Sequence, residues 1–89
     1  MSEWHVEWTA EARRSLRSIP PRILPSLMDF VWLRLPENPM RATHDLRPPF
    51  VGKRSGGVGP YRVIVTVDKD ARIVYINRAE YHSRVYRPK

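Results

Sequence analysis

Several side chains in the second half of this 89-residue chain could do chemistry on an anionic substrate: Arg47, Lys53, Arg54, Arg62, Arg78, His82, Arg84 and Tyr86. Cutting an RNA phosphodiester by transesterification needs three things. The 2′-hydroxyl must lose a proton, the leaving 5′-oxygen must gain one, and cations must meet the charged transition state. Arg62 could supply the cation, and His82 or Tyr86 could move protons. Histidine is the residue type that changes charge near neutral pH. A free tyrosine titrates near ~10 and is a poor base, but Arg84, Arg87 and Arg62 near Tyr86 would favour its phenolate. The same residues could instead solvate a basic surface or hold an acidic partner, and Tyr86 could be a packing anchor beside Val85.

Other chemistries find no support in the spacing. His5, His44 and His82 lie in unrelated segments, with no two at ligand spacing, so no metal site is expected. No serine has a triad around it, and paired carboxylates are hard to place. The glycine-containing stretch 52–60 fits neither a P-loop nor a dinucleotide fingerprint. No cofactor is implied.

Sixteen basic and nine acidic residues give a net charge of +7. A small protein this basic meets an anionic surface: nucleic acid or an acidic protein fits better than a membrane, because no amphipathic basic helix stands out. No apolar run approaches the ~18–20 residues of a membrane span. Cysteine is absent, and the N-terminal residues lack the pattern of a signal peptide. A reducing, cytoplasmic setting is the expectation. At this length a single domain is expected, burying roughly 60–65% of its unfolded surface around a thin core.

The elements that must position these residues centre on Tyr61 to Ala79. Two runs rich in Val, Ile, Thr and Tyr flank Asp68, Lys69 and Asp70, which suit a turn; this is a β-hairpin. Tyr61, Val63, Val65 and Val67 share the face expected to carry the core, while Arg62, Ile64, Thr66 and Asp68 share the other. Ahead of it, Trp4, Val6 and Trp8 alternate as a first strand with one buried face. Thr9 is the expected N-cap of a helix carrying Ala12, Leu16 and Ile19, ended by Pro20-Pro21. Leu24, Leu27, Met28, Val31 and Leu35 mark a second helix that stops by Pro36–Pro39. Residues 40–60 are the least regular, with Leu46 and Phe50 as expected anchors. A short strand near Lys53 and Arg54 is weakened by glycines from Gly56 onward. Residues after Ala79 read as a short helix or irregular tail.

These segments carry specific sequence: Trp8-Thr9-Ala10-x-Ala12-Arg13-Arg14-x-Leu16, Ile19-Pro20-Pro21-Arg22-Ile23, Glu37-Asn38-Pro39-x-Arg41, Leu46-Arg47, Gly59-Pro60-Tyr61-Arg62-Val63-Ile64 and Val85-Tyr86-Arg87-Pro88. The ordered set resembles the RelE/ParE toxin superfamily, and most of all actinobacterial RelE-type toxins. The resemblance implies an α+β fold of an N-terminal strand, a helix hairpin, an antiparallel sheet of three to four strands and a short C-terminal element. It also implies the toxin of a type II toxin–antitoxin pair, with a cognate antitoxin as partner.

RelE-like members cut mRNA in the ribosome without metal, whereas ParE-like members poison DNA gyrase. By resemblance, Arg62 falls on the central catalytic Arg and Tyr86 on the C-terminal Tyr of the RelE branch. Lys53 and Arg54 fall in the segment that carries further basic residues, and His82 joins this catalytic set. Arg47, Arg78, Arg84 and Arg87 are the expected RNA-binding cations. Tyr81-His82 stands where related chains often read His-Arg, Glu80 where the enterobacterial pattern has Arg, and Gly56-Gly57 where a basic pair is common. A ribosome-dependent mRNA endonuclease is the leading expectation. A ParE-like gyrase inhibitor, or a degenerate member that binds only antitoxin or RNA, is the alternative.

Overall fold

The computed structural model describes residues 4–46 and 52–82. Strand β1 (His5–Trp8) leads into helix α1 (Ala10–Ser15), extended by a 3₁₀ turn at Leu16–Ser18. Helix α2 (Leu24–Asp29) runs on into a π-helical segment, Phe30–Arg34. After it come helix α3 (Pro39–Ala42) and strands β2 (His44–Asp45), β3 (Arg54–Val58), β4 (Tyr61–Asp68) and β5 (Ile73–Tyr81). The sheet has five strands in the order β1-β5-β4-β3-β2. Strands β2 to β5 pair antiparallel, and β1 lies parallel to β5 at the edge.

The α+β class is as the sequence implies, but the sheet is larger than the expected three to four strands. The added strand, β2, is only two residues long and too short to leave a periodic signal. Another difference lies at the end of β5. Glu80 and Tyr81 belong to the strand, not to a tail, because Tyr61 pairs with Tyr81 and Arg62 with Glu80. The expected terminal element and Arg47, Phe50, Arg84, Val85, Tyr86 and Arg87 lie outside the described residues.

One sheet face carries the core. Val63, Val65, Val74, Ile76 and Ala79 pack against Ala12, Leu27, Phe30, Val31 and Leu35 of the helices. Trp4, Trp8, Tyr61 and Val67 flank this cluster, so the faces read from the alternation hold. The π segment departs from the expected regular helix: the Leu35 amide donates to the Phe30 carbonyl at 3.0 Å. The widened turn brings Phe30, Val31 and Leu35 all inside.

Glycine explains β3. A Cβ on Gly56 would lie 2.6 Å from both the Ala42 carbonyl oxygen and the Phe30 ring. The strand therefore carries glycine because helical segments press on its backbone, and only a residue without a Cβ lets them approach so closely. Gly59 has φ of 56°, which suits the two-residue Gly59-Pro60 turn that closes the β3–β4 hairpin.

The β5 strand contains a break that sets the site. Val65 faces Ile76, yet Ile64 faces Arg78, so Asn77 has no partner across the ladder. Before the break even-numbered residues of β5 point to the core; after it Ala79 does. An extra residue shifts the side-chain parity in this way. The backbone groups it displaces are met from α1. The Thr9 hydroxyl donates to the Ile76 carbonyl at 2.8 Å while capping α1 by accepting from the Ala12 amide at 3.0 Å. The Ser15 hydroxyl accepts from the Ala79 amide at 2.9 Å. The Asn77 side chain donates to the Thr66 hydroxyl at 2.8 Å.

Thr9 thus serves the helix and the bulge together. Thr9→Val keeps the shape and removes both hydrogen bonds. It should cost about 1–2 kcal/mol in urea unfolding, and Thr9→Ser should recover most of the loss.

Candidate functional site

The site forms at the end of β4 and β5, on the sheet face away from the helices. Arg62 is the second residue of β4, so its Cα position is fixed by pairing with Gly57 on one side and Glu80 on the other. Its Nη2 donates to the Gly59 carbonyl at 2.5 Å. The chain leaves β5 at His82, whose amide donates to the Pro60 carbonyl at 2.7 Å. Gly59, Pro60, Arg62 and His82 together line an open cleft of about 300 Å³. A guanidinium and an imidazole thus face one space wide enough for a phosphate group.

The other sequence-predicted cations divide. Arg54 lies on the helix face, on the opposite side of the sheet from Arg62. Its Nε donates to the Thr43 hydroxyl at 2.8 Å and its Nη2 to the Thr43 carbonyl at 2.8 Å and the Met40 carbonyl at 3.2 Å. Its Nη1 meets Asp45 Oδ1 at 2.7 Å, and its side chain is only 15% exposed. This guanidinium staples the end of α3 and β2 to β3. The geometry does not bring it to Arg62, contrary to the grouping expected from sequence. Lys53 precedes β3, and alternation gives it the Ser55 face of the sheet, the one that carries Arg62. Arg78 is on the Arg62 face, but its charge is already engaged. Nη2 donates to Glu80 Oε1, and Nη1 lies 3.6 Å from Glu11 Oε2. Glu80 itself is only 9% exposed.

Two residues at this end of β5 were missed by sequence reasoning. Glu80 was read as tail, although it pairs across from Arg62 and holds Arg78. Tyr81 was given no role, yet it ends β5 on the helix face, paired with Tyr61. Its ring meets the Tyr61 ring edge-on at 5.4 Å and the His82 ring at 5.0 Å. The signal was the change from even to odd core residues between Ile76 and Ala79, which a strand carrying one bulge produces. Among the described residues no group of three His, Asp or Glu side chains could hold a metal ion, and no helix is long and apolar enough to cross a membrane.

This sheet, with helices on one face and a basic cleft at one end of the other, is a RelE-type toxin fold. The toxin–antitoxin complex RelBE2 of Mycobacterium tuberculosis superposes with a TM-score of 0.81 at 33% identity, over 88% of this chain and 96% of that one. No family model matches the chain. Two curated proteins of Mycobacterium tuberculosis do: toxin RelG, 34% identical over 82 residues (92% of this chain, 94% of the relative), and toxin RelE, 34% identical over 91 residues (97% and 94%). The chain belongs to the RelE family of toxins.

The division of the arginines is testable by stability alone. Arg54→Ala should lower the unfolding free energy by about 2–3 kcal/mol, since it strands several acceptors. Arg62→Ala, at a half-exposed position, should change it by no more than about 0.5 kcal/mol. Equal losses in urea unfolding would contradict the assignment.

Proposed function

We propose that this toxin is a ribosome-dependent, metal-independent mRNA endonuclease, held inactive by a cognate antitoxin. The observation that carries the reading is the shared cleft of Arg62 and His82. Arg62 is the fixed cation. Its planar fork can hold two non-bridging oxygens of one phosphate, which an ammonium cannot match. In the reaction the 2′-oxygen loses its proton and attacks the adjacent phosphorus, and the bond to the 5′-oxygen breaks as that oxygen takes up a proton. The products are a 2′,3′-cyclic phosphate and a free 5′-hydroxyl. His82 carries one of these two protons and Tyr86 the other. Lys53, Arg47, Arg84 and Arg87 add positive field along the RNA path. Arg54 and Arg78 serve the fold, because their hydrogen bonds already go to protein acceptors.

The antitoxin reading is supported by the likeness to the RelBE2 complex and by the net charge of +7. An acidic or amphipathic segment that orders on binding would neutralise such a surface. Action on translating ribosomes places the protein in the cytoplasm. One observation favours a second reading, a ParE-like inhibitor of DNA gyrase without nuclease chemistry. Glu80 puts a carboxylate directly across from Arg62, where a nuclease site gains from cations.

In vitro translation with purified protein, followed by mapping of mRNA 5′ ends, separates the two. Cuts within ribosome-bound codons are expected. Intact mRNA together with trapped gyrase–DNA complexes would favour the second reading. Within the first reading, Arg62→Ala should slow cleavage ~10²–10³-fold with the fold intact. Tyr86→Phe keeps the ring and should slow it at least ~10-fold. If Tyr86→Phe cleaves at the wild-type rate, Tyr86 is an anchor and the proton passes to another group.

A further inference from the structure

Two arginines on the helix side of the sheet share a cleft that the Arg62 site does not use. Arg34 ends the π-helical segment and Arg41 lies on α3. With Glu37, Asn38 and Ala42 they line a space of about 400 Å³, which has no residue in common with the Arg62 cleft. Asn38 sets the spacing of the pair. Its amide donates to the Arg34 carbonyl at 3.4 Å, and its carbonyl and side-chain oxygens both accept from the Arg41 amide at 3.2 Å. Arg54 ties α3 to β3 through the Met40 and Thr43 carbonyls, so the cleft has a fixed floor. The Arg34 guanidinium lies over the buried Phe30 ring, 5.8 Å from its centre. Among the described residues neither Arg34 nor Arg41 has an acidic partner, although the Glu37 carboxylate lines the same cleft.

We propose that this cleft is a docking site for the backbone of folded RNA, separate from the Arg62 cleft where mRNA is cut. The proposal rests on the ribosome-dependent reading and adds a second point of contact on the opposite side of the sheet. Two guanidinium forks can hold one phosphate through several charge-assisted hydrogen bonds. The Asn38 side-chain oxygen is occupied by the cap, which leaves its amide group to donate as well. Glu37 decides the class of partner. An acidic peptide would set its carboxylates against that of Glu37. A ribose brings a 2′-hydroxyl, which can donate to the carboxylate while the neighbouring phosphate lies on the arginines. The cleft therefore suits RNA over DNA, since the 2′-hydroxyl is what separates the two.

The test uses the full chain carrying Arg62→Ala, so that the first cleft does not mask the second. An RNA hairpin is the probe, and a DNA hairpin of the same sequence is the comparison. The Arg62→Ala protein should bind the RNA hairpin, and the DNA hairpin more weakly. Adding Arg34→Gln and Arg41→Gln should weaken RNA binding at least about tenfold and reduce the slope of log K against log salt by about one. Arg34→Lys with Arg41→Lys should restore the slope and only part of the affinity. Glu37→Ala should narrow the preference for RNA over DNA. With Arg62 intact, Arg34→Gln and Arg41→Gln should raise the KM for translating ribosomes and leave kcat unchanged. If the protein with Arg62 intact cuts no mRNA while hairpin binding still depends on Arg34 and Arg41, the nuclease reading fails and the docking site stands. The site is overturned if the glutamine changes leave RNA binding intact, if the lysine changes bind as poorly as the glutamine ones, or if Glu37→Ala leaves the preference as it was. It is also overturned if the glutamine changes keep RNA binding but remove antitoxin binding, which would make the cleft a protein contact.

Discussion

One extra residue in β5 decides which side chains meet. Without Asn77 outside the ladder, Arg78 would lie opposite Val63 on the core face and Glu80 opposite Tyr61. With it, Ala79 fills the core, and Arg78 and Glu80 turn to the face that carries Arg62. The bulge is not a slack point. Thr9 and Ser15, at either end of α1, satisfy its displaced carbonyl and amide. The helix nearest the N-terminus therefore fixes the geometry at the far end of the last strand, through hydrogen bonds in a protected region where unmade partners are costly.

A second constraint is how the cations are shared out. A small basic protein has more positive charge than its fold can use, so which charges are committed matters more than their number. Arg54 is bound to Thr43, Met40 and Asp45, and Arg78 lies between Glu80 and Glu11. Among the described residues Arg62 makes one side-chain hydrogen bond, to its own turn. A contact that is local and partly exposed costs little to exchange for a phosphate. The toxin's basic side chains divide in this sense into those holding α3, β2 and β5 in place and those, like Arg62, that the fold does not commit.

Much of this was legible in the sequence. The hydrophobic alternation of Trp4, Val6 and Trp8, and of Tyr61 to Val67, assigned the buried faces correctly, because a half-buried strand must alternate. Thr9 was readable as a cap, since a hydroxyl before an amphipathic run has few other uses. The short helix at Pro39–Ala42 was not expected, although Asn38 caps it at the Arg41 amide and Pro39 opens it; four residues are too few for a periodic signal. Gly56 read as a strand breaker because its reason, the pressure of Phe30 and Ala42, is tertiary. Arg54 and Arg62 are eight positions apart and look alike in sequence. Only the register of β3 against β4 puts them on opposite faces. Glu80 and Tyr81 were lost for a related reason: a bulge breaks the alternation that would have extended the strand to include them.

The most direct measurement on this account is the set of cross-strand nuclear Overhauser effects between β4 and β5 in the free protein. The account predicts contacts between Val65 and Ile76, between Ile64 and Arg78, and between Arg62 and Glu80, with Asn77 lacking a partner. An unbroken register, with Ile64 facing Asn77, Val63 facing Arg78 and Arg62 facing Ala79, would contradict it. That register would turn Arg78 into the core and take Glu80 off the face that carries Arg62.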